Sequence, residues 1–164
     1  MGSVVNITLP DGSKKVFEGP TTGAEVASSI GPGLAKSALA VVVNGVEWDL
    51  TRRIDQDSSV SVITRDSDEA LPLLRHDCAH VLAEAVQEIW PDVQVTIGPP
   101  IENGFYYDFA RETPFTLDDL VKIEERMTEI IGRDEAFTRE VWERERAISF
   151  FNEKRENYKA ELIR

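Results

Sequence analysis

Val5, Ile7 and Leu9 alternate with polar residues, the period of a strand with one buried face. Pro10-Asp11-Gly12-Ser13 reads as a turn, because proline presets one dihedral and glycine admits a positive one. Val16-Phe17 begins the return strand. Thr22 with Glu25 three residues on is a capping-box pattern and predicts a helix running through Val26 to Ile30. Gly31-Pro32-Gly33 is its stop signal. Residues 40–43 and 46–48 read as strands about Asn44-Gly45, a strong hairpin-turn signal. Val60, Val62 and Thr64 alternate in a closing strand. The order β-β-α-β-β-β in roughly 65 residues fits a small α+β roll of the ubiquitin-like, β-grasp kind.

The rest of the chain has a different rhythm. Residues 71–90 read as a helix ended by Pro91. Residues 93–97 and 104–109 read as strands joined by Gly98-Pro99-Pro100-Ile101-Glu102-Asn103, with Asn103-Gly104 as a second hairpin signal. A helix starts at Thr116, with Asp119 three residues on. Leu120, Ile123, Met127, Ile130 and Ile131 recur at its period and are its expected inner face. Residues 137–142 are expected as a strand and residues around 147–151 as a third helix, while 157–164 give no stop signal. Internal repeats and low-complexity tracts are absent.

Charge sharpens the division. The 164 residues carry 30 acids and 18 bases, net −12, with a pI near 4.6. Residues 1–65 hold seven of the acids and six of the bases, so nearly all the excess lies in 66–164. The polar stretch Arg65-Asp66-Ser67-Asp68-Glu69 marks the change, and two domains are expected, 1–65 and 66–164. One domain with an acidic loop is the alternative. With 41% hydrophobic residues the chain can build a core. No run approaches the ~20 apolar residues of a membrane span. The N-terminus lacks the basic-then-apolar pattern of a signal peptide. Cys78 is the single cysteine, which excludes an intramolecular disulfide framework and a zinc ribbon and points to a reducing cytoplasm. So acidic a chain is also a poor unaided binder of nucleic acid.

The candidate chemistry lies in Arg75-His76-Asp77-Cys78-Ala79-His80. The two histidines of the chain sit four apart, neighbours on a helix. With Cys78 taken as the origin of a helical wheel, Val81, Leu82, Ala85 and Ile89 fall within about 60° of it and form the expected core stripe. His76 and His80 fall on the opposite side, with Ala83 and Gln87. Three readings are open: solvated surface residues, a zinc pair needing further ligands, or a proton-transfer and substrate-orienting pair. Asp77 is too short for the glutamate role of a metalloprotease helix. Cys78, on the core stripe, reads as an apolar filler. The segment 98–109 is either a turn feeding an aromatic hairpin or a pocket wall, with Tyr107 offering a hydroxyl. Tyr106 and Tyr107 must face opposite sides of a strand.

These residues resemble a known family. Leu74-Arg75-His76-Asp77-Cys78-Ala79-His80-Val81-Leu82, followed by Ile97-Gly98-Pro99-Pro100-Ile101-Glu102-Asn103-Gly104-Phe105-Tyr106-Tyr107-Asp108, is similar to the start of the threonyl-tRNA synthetase editing domain. Ile30-Gly31-Pro32-Gly33-Leu34-Ala35-Lys36 and Val43-Asn44-Gly45 resemble the β-grasp module, called TGS, that precedes it, and Asn157-Tyr158-Lys159 also resembles the family. The resemblance implies an α+β chain: a TGS-like domain followed by the N-terminal half of an editing domain. It implies a parent enzyme that joins threonine to its tRNA with ATP and magnesium in a zinc-binding core, dimeric through that core. It further implies removal of serine mistakenly attached to threonine tRNA, since a methyl group discriminates by only ~1–3 kcal/mol. The family's pocket residues carry over to His76, His80, Tyr107 and Lys159. Lys154 and Arg155 beside Lys159 read either as a local basic spot for tRNA or as a salt-bridged surface helix end.

The family's later Cys-x-x-x-His motif is absent, as is the aminoacylation core. The expectation is therefore an N-terminal piece without ligase activity and without a complete editing pocket. Two rivals stay open. One is a free-standing, metal-dependent trans-editing hydrolase that binds zinc through His76 and His80. The other is a TGS-type binding or regulatory module.

Overall fold

A computed structural model describes residues 4–136 and 138–164. The chain divides into two compact units, Met1–Leu71 and Pro72–Arg164.

In the first unit, β1 (Val5–Thr8) points Val5 and Ile7 inward and pairs antiparallel with β2 (Lys14–Phe17). The turn between them closes through the Leu9 N–H on the Ser13 carbonyl at 2.8 Å, while Asp11 accepts from the Ser13 N–H and hydroxyl. After β3 (Thr21–Thr22), Thr22 caps α1 (Gly23–Ile30): its hydroxyl accepts from the Glu25 N–H and the Glu25 carboxylate accepts from the Thr22 N–H. Gly31-Pro32-Gly33 ends α1, but Pro32 also opens a short second helix, α2 (Pro32–Ser37), that the sequence reading lacks. Proline suits a first helical position, where its missing N–H costs nothing.

Next come β4 (Ala38–Val43), β5 (Val46–Trp48), β6 (Arg53–Ile54) and β7 (Ser58–Thr64). Asn44 and Gly45 both take positive φ, 50° and 83°, as the tight turn between β4 and β5 requires. The five-stranded sheet runs β2-β1-β7-β4-β5, with β1 and β7 parallel and the other neighbours antiparallel; β3 and β6 form a separate ribbon. A helix against a sheet whose first and last strands meet in parallel is the expected β-grasp order. Val26 of α1 closes the core over Val5, Ile7, Val41, Val43, Ile54 and Val60. Gly23 lets the helix approach, since a Cβ there would lie 2.7 Å from Val41 Cγ2.

The second unit is built around α3 (Ala70–Ile89). The expected long hairpin is present only in pieces. β8 (Gln94–Val95) pairs with β11 (Phe109–Ala110), and β9 (Pro100–Ile101) pairs with β10 (Gly104–Phe105). Backbone bonds from Thr96 N–H to the Asp108 carbonyl and from Asp108 N–H to the Ile97 carbonyl extend the first pair, and at Gly98 the Tyr107 ring lies against the backbone, a built Cβ falling only 2.1 Å from Tyr107 Cδ2.

α4 (Leu117–Arg133) has the expected cap, Thr116 with Asp119. Ile123 and Ile130 are buried and pack with Ala85, Val86 and Val93, joined by Met127, whereas Leu120 and Ile131 are exposed, contrary to the inward face expected of them. The strand expected over 137–142 does not form at 138–142; Phe137 lies outside the described residues. Trp142 instead stands edge-on to Phe150, with Arg146 over its ring. α5 (Arg144–Glu153) is longer than expected, and α6 (Asn157–Ile163) is a helix the sequence reading lacks. Among the described residues, no helix is long and apolar enough to cross a membrane.

Candidate functional site

The i, i+4 spacing on α3 places the His76 and His80 rings face to face, 4.7 Å apart and 20° from parallel. The predicted core stripe needs correction. Ala70, Ala79, Ala83, Ala85 and Val86 are the buried positions, while Cys78 is only half-buried. α3 is therefore covered over more of its circumference than a single stripe, and small residues sit close to the histidine face.

Beside that face lies an open pocket of about 490 Å³, lined by His80, Ala83, Gln87 and two carboxylates, Glu84 and Glu88, of α3, with Tyr107 of the hairpin, Phe151 of α5 and Lys159 of α6. Three of the four residues singled out in the sequence thus meet in one place. His76 is not on the lining but stacks on His80, which is. Lys154 and Arg155 are exposed and do not line the pocket, and Lys154 lies over the Phe150 ring at 5.2 Å.

Each wall is fixed from behind. Arg75, next to His76, donates to the Glu102 carbonyl at 2.6 Å and ties the hairpin turn to α3. Tyr107 stacks on Phe109 with centroids 5.2 Å apart. The Lys159 ammonium lies 5.7 Å from the Phe151 ring centre and 3.9 Å from Glu156 Oε1. Glu156 in turn accepts a hydrogen bond from the Gln87 amide. Sequence reading missed Glu156 and Phe151. Gln87 was visible as a same-face neighbour of His80, and Glu156 as an i, i+3 partner of Lys159.

Electrostatics give the groups distinct protonation states. Both histidines are exposed, but partial burial holds His80 below the usual histidine pKa; the charges of His76 and Lys159 add to this and Asp77 opposes it. Burial raises the Tyr107 pKa, and the Glu156 charge raises it further. Near neutral pH the site therefore presents a neutral imidazole and a phenol that keeps its proton and can donate a hydrogen bond. Among the described residues, no three His, Cys, Asp or Glu side chains cluster as metal ligands. The two imidazoles fall short of the three or four donors of a zinc site.

Residues 5–64 match the TGS domain family. The chain is 61% identical over 161 residues to the threonine–tRNA ligase of Paramagnetospirillum magneticum, covering 98% of this chain and 25% of that protein. The corresponding ligase of Rhodospirillum rubrum is 61% identical over 160 residues, and that of Bartonella tribocorum 55% over 163. Nearly the whole chain is thus similar to part of the threonine–tRNA ligases, and residues 5–64 are similar to the TGS domain. The chain spans about a quarter of the length of these relatives. The stretch matching the TGS family falls within the β-grasp unit, and the pocket residues lie in the unit after it.

Proposed function

We propose that this chain is the N-terminal part of a threonine–tRNA ligase, with residues 1–65 as its TGS-like domain and 66–164 as the first half of its editing domain. The pocket beside α3 then serves proofreading, the hydrolysis of serine mistakenly esterified to threonine tRNA. The observation that carries this reading is the convergence of His80, Tyr107 and Lys159, from three separate segments, on one pocket beside a stacked histidine pair.

In this mechanism water attacks the ester carbonyl and gives up a proton, the acyl–oxygen bond breaks to release serine, and a proton passes to the departing ribose oxygen. His76 transfers that proton or contacts the neighbouring ribose hydroxyl. His80, kept neutral by its depressed pKa, orients water or substrate by accepting a hydrogen bond. Tyr107 stays protonated and positions the seryl group through its hydroxyl. Lys159 brings a cation to the terminal nucleotide or its phosphate.

Ligation, with ATP, magnesium and zinc, belongs to the part of the enzyme that this chain does not span, as do the main tRNA contacts and the dimer interface. The setting is cytoplasmic translation. The test is clearance of seryl-tRNA by the complete enzyme carrying His76→Ala. A positioned proton-transfer group contributes on the order of 10²-fold or more. Clearance at the native rate would refute the role given to His76.

A further inference from the structure

Glu156 stands at the N-cap of α6, where a side-chain acceptor ordinarily bonds the first free N–H groups of the helix. It makes no such bond. Its carboxylate turns away instead, and Oε1 takes the amide hydrogen of Gln87, 69 residues earlier on α3. Lys159 Nζ lies 3.9 Å from the same oxygen. Only 12% of the Glu156 side chain is exposed, and Oε2 is buried without a hydrogen-bond partner.

Withdrawing a carboxylate from water with one oxygen unmatched is costly. Helix capping does not explain it, because the helix is not capped by it. What the carboxylate does touch is the pocket: Gln87 and Lys159 are both on the lining. Lysine is a point charge on a flexible four-carbon stem and needs an external partner to hold one position. Gln87, on the long helix that also carries the histidines, supplies a fixed anchor for that partner.

We propose that Glu156 is a positioning residue of the pocket: clamped by Gln87, its carboxylate holds the Lys159 ammonium at the wall opposite His80, ready for an anionic group of the ligand. The nature of that ligand, the phosphate of a polynucleotide 3′ end, rests on the proofreading reading; the clamp itself does not.

The clamp is tested in this 164-residue chain with its lysines ¹³C-dimethylated, the Lys159 signal being assigned through Lys159→Arg. A held amine gives two inequivalent N-methyl resonances. They are expected in the native chain and should merge into one in Glu156→Gln and in Gln87→Ala. The second variant decides the matter if the first fails to fold. A single resonance in the native chain, or two that survive either substitution, overturns the proposal. In the complete enzyme, Glu156→Gln should slow seryl-tRNA clearance about tenfold by misplacing Lys159. Added to Lys159→Ala it should bring no further loss. Slow clearance in Lys159→Ala with native clearance in Glu156→Gln also overturns the positioning role. Native clearance in Lys159→Ala would refute the function assigned to Lys159 and leave the resonance test of the clamp to stand alone.

Discussion

Gly98→Ala tests the fit between the hairpin and the pocket. A Cβ at residue 98 would stand 2.1 Å from Tyr107 Cδ2, 2.6 Å from Tyr107 Cγ and 2.6 Å from the Tyr106 carbonyl oxygen. Carbon atoms in contact keep about 3.5–4.0 Å, so the ring must retreat by about 1.5 Å. A side chain could swing aside cheaply, but a backbone oxygen cannot, so the hairpin must shift as well. The backbone dihedrals of Gly98 are outside the left-handed region, so the penalty is steric alone. Overpacking of this kind costs about 1–3 kcal/mol, and each kcal/mol lowers Tm by roughly 4–8 °C in a unit the size of Pro72–Arg164.

The displaced ring is a wall of the pocket, and a misplacement near 1 Å costs on the order of 10²-fold in a positioned reaction. Thermal unfolding of the chain and seryl-tRNA clearance by the complete enzyme measure the two effects. Tyr107→Phe is the control: it keeps the ring and should leave Tm unchanged while removing the hydroxyl. If Gly98→Ala melted and cleared like the native protein, the close approach of residues 98 and 107, and the pocket wall built on it, would be refuted.

Two further outcomes follow from charge. Glu88 accepts from Arg126 and Arg133, which hold its pKa at about 2. A depressed carboxylate contributes stability that is present above its unfolded value, near 4.5, and lost as pH falls through about 2. Glu88→Gln should therefore flatten the decline in Tm between those pH values, and an unchanged slope would remove the ion pair from the stability of the α3–α4 packing. For His80, the charge of Lys159 is one of the influences lowering its pKa. Lys159→Ala should raise the His80 midpoint in a proton NMR titration, and with it the acid limb of the clearance profile. A fall, or no change, would mean that the two groups do not share the pocket.

The first unit was legible because its elements announce themselves locally. Val5 and Ile7 alternate, Asn44-Gly45 marks its own turn, and Thr22 and Glu25 cap a helix within four residues. α2 was not legible: six residues carry too little periodicity, and Gly-Pro-Gly reads as an ending. α6 was hidden for another reason. Asn157–Ile163 is held by α5 and β8 rather than by its own pattern, and Tyr158 and Leu162 stay exposed. The strand expected over 137–142 does not form at 138–142, where Trp142 packs edge-on against Phe150 of α5 instead. In the pocket, the spacing of the histidines was a local signal and Tyr107 stood out as a hydroxyl on a possible pocket wall, whereas Lys159 was singled out through the family resemblance alone. The Gln87–Glu156 bond leaves no trace in sequence, because a polar contact across 69 residues has no period.

The same distinction orders the pocket's mechanics. α3 is twenty residues long and brings His76, His80 and Gln87 to one side as a single rigid row. The opposing wall is made of short pieces that do not hold themselves. Lys159 sits on a helix of seven residues, too short to be stable alone. Its neighbour Ala160 is fully buried, and Ile148 anchors α5 in the same way. The lysine is therefore placed by packing on one side and by the Glu156 carboxylate on the other. A pocket so built joins one fixed face to one face assembled by tertiary contact. Its precision depends on the few bonds that cross between them, of which the Gln87–Glu156 contact is the one buried beside the lysine.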